Sequence, residues 1–294
     1  MEGNLLERKS IAGCRRENPY VLWLRYSTYG FWVEMGGMHM SARNHEVTAK
    51  QQLLDANGNI AETVLDAFPM GKLQMPTNSS EGDIVYEKKN LRLKYVLEKN
   101  PENLSERSAV GKSIAGKEKK GRFYYNQKIN CMRAGGFAEY NGKRYEFHPE
   151  KHFGTLDWGR GVWTYDNTWY WGSGNCDVDG HAFGFNIGYG FGNTKAASEN
   201  VIFYDGVAHK IDDVTFVIPE DDYCKPWKFT SSDGRFEMDF MPLLDRSACL
   251  DYKLIVSDQH QVFGRMSGTT VLDDGTKVEI KDVLCFAEKV HNRY

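Results

Sequence analysis

K-F-T-S-S-D-G-R-F-E-M-D-F, Lys228 to Phe240, is the stretch whose pattern decides the fold. Phe236, Met238 and Phe240 alternate with Arg235, Glu237 and Asp239, the period of a strand with one buried and one wet face. Asp233-Gly234 ahead of them suits the positive backbone angles of a tight turn, so the stretch reads as a hairpin. Thr269 to Val283 repeats the arrangement: Val278 and Ile280 alternate with Lys277, Glu279 and Lys281 behind Asp274-Gly275. Asn57-Gly58, Asn141-Gly142 and Asp205-Gly206 add three more turn signals. One wet face per hairpin belongs to antiparallel sheets rather than parallel ones.

Outward from these hairpins the chain continues in the same style. Tyr20 to Met40 is rich in aromatic and β-branched residues broken by glycine and reads as two strands, while residues 1–20 read as a polar leading tail. Glu102 to Ala115 has room for a helical turn or two, but Gly111 and Gly116 interrupt it and no helical stripe is sustained. The expectation is an all-β chain with little helix, its sheets curled into antiparallel barrels because open sheets of so many strands leave exposed edges. At 294 residues the length suits two such barrels packed together. F-H-P-E-K-H at 147–152 breaks the strand run, which sets the expected domains at 1–147 and 148–294.

Composition narrows the function. A net charge of -3 offers no attraction to phosphate backbones, so nucleic acid is not an expected partner, and the lysine-rich segment 112–122 reads as a solvated loop. No apolar run approaches the ~20 residues of a membrane span, and the first residues lack the apolar core of a signal peptide. Six scattered cysteines without a C-x-x-C pair fit reduced thiols, and the expected location is cytoplasmic. Metal and cofactor signatures fail as well. His148 and His152 flank Pro149 rather than sharing a helix, and Gly111-Lys112-Ser113 lacks the first glycine of a phosphate loop. Neither a metal nor a cofactor is expected.

Chemistry concentrates between Phe153 and Gly206, where four of the seven tryptophans, Trp158, Trp163, Trp169 and Trp171, lie close together among glycines. Taken as a strand, 183–192 puts Phe183, Phe185, Ile187, Tyr189 and Phe191 on one face; the other carries Asn186 as its sole side chain among glycines. That bare face either leaves room for a ligand inside a barrel or lets a second barrel approach closely. Asp157 and Arg160 fall on opposite faces of a straight strand, and a bulge at Gly159 and Gly161 would bring them together. Desolvation by tryptophan would make Asp157 a proton donor, whereas a dominant guanidinium would make the pair a structural bridge. Glu199 enters the strand toward Asp205-Gly206, with Asn200 on its other face; it either joins Asp157 in one pocket or starts the strand in solvent.

These residues resemble the DUF2804 family: L-D-W-G-R-G-V-W at 156–163, W-Y-W at 169–171, F-N-I-G-Y-G-F-G at 185–192, S-E-N at 198–200, P-W-K-F-T-S at 226–231, Q-V-F-G-R-M-S-G-T at 261–269 and F-A-E at 286–288. The resemblance covers the second half of the chain closely and the first half loosely. It implies a relative of the lipocalin-like double barrels, which include carotenoid hydratases, and hence a small apolar or amphipathic ligand. The expected function is a cofactor-independent hydratase, isomerase or cyclase in which Asp157, Glu199 and Arg160 are catalytic. Trp158, Trp163, Trp169, Trp171, Asn186, Tyr189 and Asn200 would then touch the ligand. A glycoside enzyme with paired carboxylates and a non-catalytic binder are the alternatives, since a fold does not set a reaction.

Overall fold

A computed structural model describes residues 22–27, 30–35, 38–42, 48–54, 60–63, 79–98, 109–113, 123–162, 165–191 and 198–293. The leading tail, Asn57-Gly58, Trp163 and most of the lysine-rich loop lie outside the described residues, as do the side chains of Trp158 and Arg160. The all-β expectation holds, and among the described residues helix is limited to one 3-10 turn, Glu87–Lys89. Ala109–Ser113, within the segment weighed as helical, is a strand.

Tyr20 to Met40 yields three strands rather than two, β1 (Leu22–Ser27), β2 (Gly30–Met35) and β3 (Met38–Ala42), in a small antiparallel sheet. An eight-stranded sheet follows. It comprises β4 (Thr48–Leu54), β5 (Ile60–Thr63), β6 (Ser79–Tyr86), β7 (Leu91–Glu98), β8 (Ala109–Ser113), β9 (Phe123–Tyr140), β10 (Lys143–Phe147) and β11 (Phe153–Val162). β9 is its spine: the C-terminal half pairs with β7 and β10, and the N-terminal half pairs with β8 and β11. Where the halves meet, Cys131 has a left-handed φ of 58°, which turns the strand. Since β11 bonds to β9, the change from one sheet to the next falls between Val162 and Asp166, beyond the break at 147–152.

The second large sheet holds β12 (Asp166–Val178), β13 (His181–Tyr189), β14 (Val201–Tyr204), β15 (Val207–Lys210), β16 (Val214–Val217), β17 (Trp227–Ser231), β18 (Phe236–Asp251), β19 (Val256–Val271) and β20 (Lys277–Arg293). Its strand order is β15-β14-β13-β12-β20-β19-β18-β17-β16, so the two edge strands are consecutive in the chain. Strands spaced about 4.8 Å apart would put those edges roughly 40 Å from each other in a flat sheet. The link of residues 211–213 reaches only about 14 Å. The sheet therefore has to roll up until β15 and β16 approach, and Ile211 in the link and Val214 behind it are buried in the interior.

That interior is filled. Phe183, Phe185, Phe229, Phe236 and Phe240 are each 0% exposed and Trp227 is 1% exposed, packed with Ile187, Phe216, Met238 and Ile280. The apolar side of β13 thus lines the inside of the roll, and its bare side faces the first sheet. A ligand space on the bare face inside a barrel is overturned for a physical reason: the rings of Phe183 and Phe185 bury more apolar area inside than glycines could. Glycine serves the contact between sheets instead. A side-chain carbon on Gly184 would lie 2.7 Å from Cys131 Sγ and 2.9 Å from Asn175 Oδ1.

Candidate functional site

The two large sheets meet where β9 and β11 lie against β12 and β13, and Asn130 ties them. Its amide nitrogen reaches Ser173 Oγ at 2.8 Å, Asn175 Oδ1 at 3.0 Å and the Phe185 carbonyl at 3.1 Å, all on the second sheet. Asn175 answers across the seam, accepting from the Cys131 amide at 2.7 Å and donating to Thr155 Oγ1 at 2.8 Å. Asn130 Oδ1 is buried without a partner, so it is the bonds of its amide nitrogen and of Asn175 that specify how the sheets sit against each other here.

Two residues before Asn130, and on the same face of β9, stands Lys128. Its side chain is 5% exposed, and its ammonium lies 2.7 Å from Asp157 Oδ2 and 3.7 Å from the centroid of the Trp171 ring. Lys128 and Asp157 are direct partners in the β9–β11 register, which explains their meeting across a sequence gap with no local signal. The pairing corrects the expected Asp157–Arg160 bridge. The register runs unshifted from Leu156 to Val162, so no bulge forms at Gly159 or Gly161 and positions 157 and 160 stay on opposite faces. The irregularity sits between Gly154 and Leu156 instead, where it turns Thr155 toward Asn130.

Trp171 is oriented from its other edge. Its indole N–H donates to Asn186 Oδ1 at 2.7 Å, and Asn186 in turn donates to the Glu199 carbonyl at 3.0 Å. Asp157, Lys128, Trp171, Asn186 and Glu199 thereby form one contiguous chain of contacts, although Glu199 enters it through its backbone. Glu199 precedes β14 rather than lying within it, half-buried, with its charge near Lys210. Burial of the Lys210 ammonium pulls its pKa down to about 8 against the opposing pull of Glu199.

Other expected ligand contacts are placed elsewhere. Asn200 is buried and structural in its bonds, accepting from the Gly188 amide at 2.8 Å and donating to the Asp212 carbonyl at 3.0 Å. Tyr189 stacks on Tyr170 at 4.5 Å on the interior side of β13, across the strand from Asn186. Trp169 does share the face of Trp171, and its indole N–H donates to Glu288 Oε1 at 2.9 Å.

Glu288 is the carboxylate that sequence reasoning missed. It is 6% exposed and is the register partner of both Trp171 on β12 and Gln261 on β19. Gln261 donates to its second oxygen at 3.0 Å. Trp171, Phe263, Phe286 and Trp169 form the apolar surround. Only the order β12-β20-β19 brings these residues together, and F-A-E at 286–288 carries no local hint of it. The site therefore combines a sheltered ammonium, a carboxylate that reaches solvent, a second carboxylate that is buried, and an aromatic wall. A surface groove lined by Val85, Glu87, Leu91, Arg92 and Glu139 shares none of these residues. Among the described residues no cluster of three or more His, Cys, Asp or Glu side chains is arranged to hold a metal, and no helix is long and apolar enough to cross a membrane.

No curated protein matches the sequence. Among solved structures the fold is similar to kievitone hydratase from Nectria haematococca, at 8% identity and a TM-score of 0.45, covering 94% of this chain and 83% of that one. It is also similar to a protein of Nitrosomonas europaea assigned to AttH, at 14% identity and a TM-score of 0.43, covering 88% and 79%. At such values neither likeness reaches from architecture to activity. The family model described as a domain of unknown function, DUF2804, matches residues 106–294, the span that holds Lys128, Asp157, Trp171 and Glu288. The chain belongs to the DUF2804 family.

Proposed function

We propose that this protein binds a small amphipathic molecule between its two large sheets and moves a proton on it without a cofactor, as a hydratase or isomerase does. The observation that carries the reading is the Lys128 ammonium, 5% exposed, held between Asp157 at 2.7 Å and the Trp171 ring at 3.7 Å. An isolated buried ammonium is costly, and both neighbours offset that cost, one by charge and one through its π face. In an ion pair the carboxylate accepts a proton and the ammonium donates one. Asp157, 33% exposed on its side chain, serves in this reading as the base toward water or an acidic C–H group. Lys128 then stabilises or protonates the oxygen on which negative charge develops. In water-poor surroundings such a fixed charge acts more strongly than in bulk solvent. Trp169, Trp171 and Phe286 supply the apolar contact that holds the rest of the molecule.

Deuterium exchange tests this directly. The wild-type protein in D2O with 2-tetralone, an enolisable ketone, should incorporate deuterium α to the carbonyl faster than buffer, as read by mass spectrometry. Asp157→Asn and Lys128→Met should each slow the exchange by about 100-fold or more, the usual size of an acid–base contribution, with the circular dichroism unchanged. Wild-type exchange no faster than buffer, or exchange in both variants as fast as in the wild type, would remove the reading.

A further inference from the structure

Gln261 is 4% exposed, and its amide is only half used: Nε2 donates to Glu288 at 3.0 Å, while Oε1 is buried and accepts from no group. An amide flip would not cure this. It would set an oxygen against the Glu288 carboxylate and break the one bond the amide makes. A buried acceptor without a donor costs about 1–3 kcal/mol, and most native structures avoid it.

The surroundings show what would satisfy it. The indole N–H groups of Trp169 and Trp171 are committed to Glu288 and Asn186, so neither is available to Gln261. The face formed by Gln261 and Glu288 is therefore an accepting one, set among Phe263, Phe286 and Trp169. An anionic guest can only accept, so a face of acceptor oxygens from Gln261 and Glu288 disfavours it.

We infer that the molecule bound at this site carries an uncharged hydroxyl group that donates to Gln261 Oε1, which makes the ligand class a phenol or alcohol on an apolar frame. The inference rests on the site proposed above and adds the polar end of its ligand. The hydroxyl would lie against Gln261 and Glu288, and the frame would run along Trp171 toward Lys128.

Matched ligands separate this from the catalytic reading. Binding of 6-hydroxy-2-tetralone, 6-methoxy-2-tetralone and 2-tetralone-6-carboxylate is measured by calorimetry on the intact protein. The hydroxyl compound should bind about tenfold more tightly than the methyl ether, the worth of one hydrogen bond to a buried acceptor. The carboxylate should bind more weakly than either. Gln261→Met should bring hydroxyl and ether to equal affinity, while Asp157→Asn should leave the hydroxyl preference intact. An ether that binds as well as the phenol in the wild type overturns the inference and needs no variant to fold. So does a preference that survives Gln261→Met, or an absence of saturable binding by all three. A hydroxyl preference without deuterium exchange would sink the catalytic reading alone.

Discussion

Lys128 and Asp157 set a thermodynamic problem as well as a chemical one. With the ammonium 5% exposed and the carboxylate 33% exposed, removing only the acid leaves a positive charge with little solvent to screen it. Asp157→Leu should destabilise the protein by about 3 kcal/mol, at the low end for breaking a buried pair because Asp157 still touches water. Lys128→Met combined with Asp157→Leu should cost clearly less than Asp157→Leu alone, since a paired deletion leaves no orphaned charge. Urea midpoints of the wild type, both single variants and the double variant check the cycle. A double variant less stable than Asp157→Leu would mean that the pair stabilises by more than its desolvation costs.

At the level of strands, the seam between the sheets depends on the absence of a side chain. A carbon added at Gly184 meets Cys131 Sγ at 2.7 Å and Asn130 Cβ at 3.0 Å, so Gly184→Val should push β13 from β9. A cost of about 2 kcal/mol is expected for such overpacking, with the urea midpoint as readout and deuterium exchange falling with it, because the same seam positions Lys128. The element pattern was legible wherever one strand face is wet. At Asn141-Gly142 and Asp205-Gly206 both residues have positive φ, and at Asp233-Gly234 and Asp274-Gly275 the glycines do. Asp179-Gly180 makes the same kind of turn, with φ of 51° and 88°, yet it escapes a reading based on alternation. β12 packs one side into the roll and the other toward the first sheet, so its flanks do not alternate between apolar and polar. The site was half legible for a related reason. Tryptophan density marks β12 within one segment, but Lys128 and Glu288 reach it only through strand register, which composition does not encode. Arg160 is the partner that nearness in sequence suggests for Asp157, and strand register supplies Lys128 instead.

For the molecule as a whole, the short link and the filled interior both hold the nine-stranded sheet curled, and their contributions can be separated. Four residues, Gly-Ser-Gly-Ser, inserted between Asp212 and Asp213 should lower stability by only about 1 kcal/mol, since loop entropy grows slowly with length. Trp227→Ala should cost about 3–5 kcal/mol, as expected for removing a large ring from a packed core. Urea titration followed by tryptophan emission compares them for the insertion, and circular dichroism serves for Trp227→Ala. If the insertion proves the more damaging, the link rather than the packing holds the roll. The filled roll also bears on entry to the site. One jaw of any grip on a guest is the outer wall of a rolled sheet whose inside is already packed with rings. On the proposed reading, the yielding that admits a guest falls to β9 and β11 rather than to the filled roll, so its residence time would report on the first sheet.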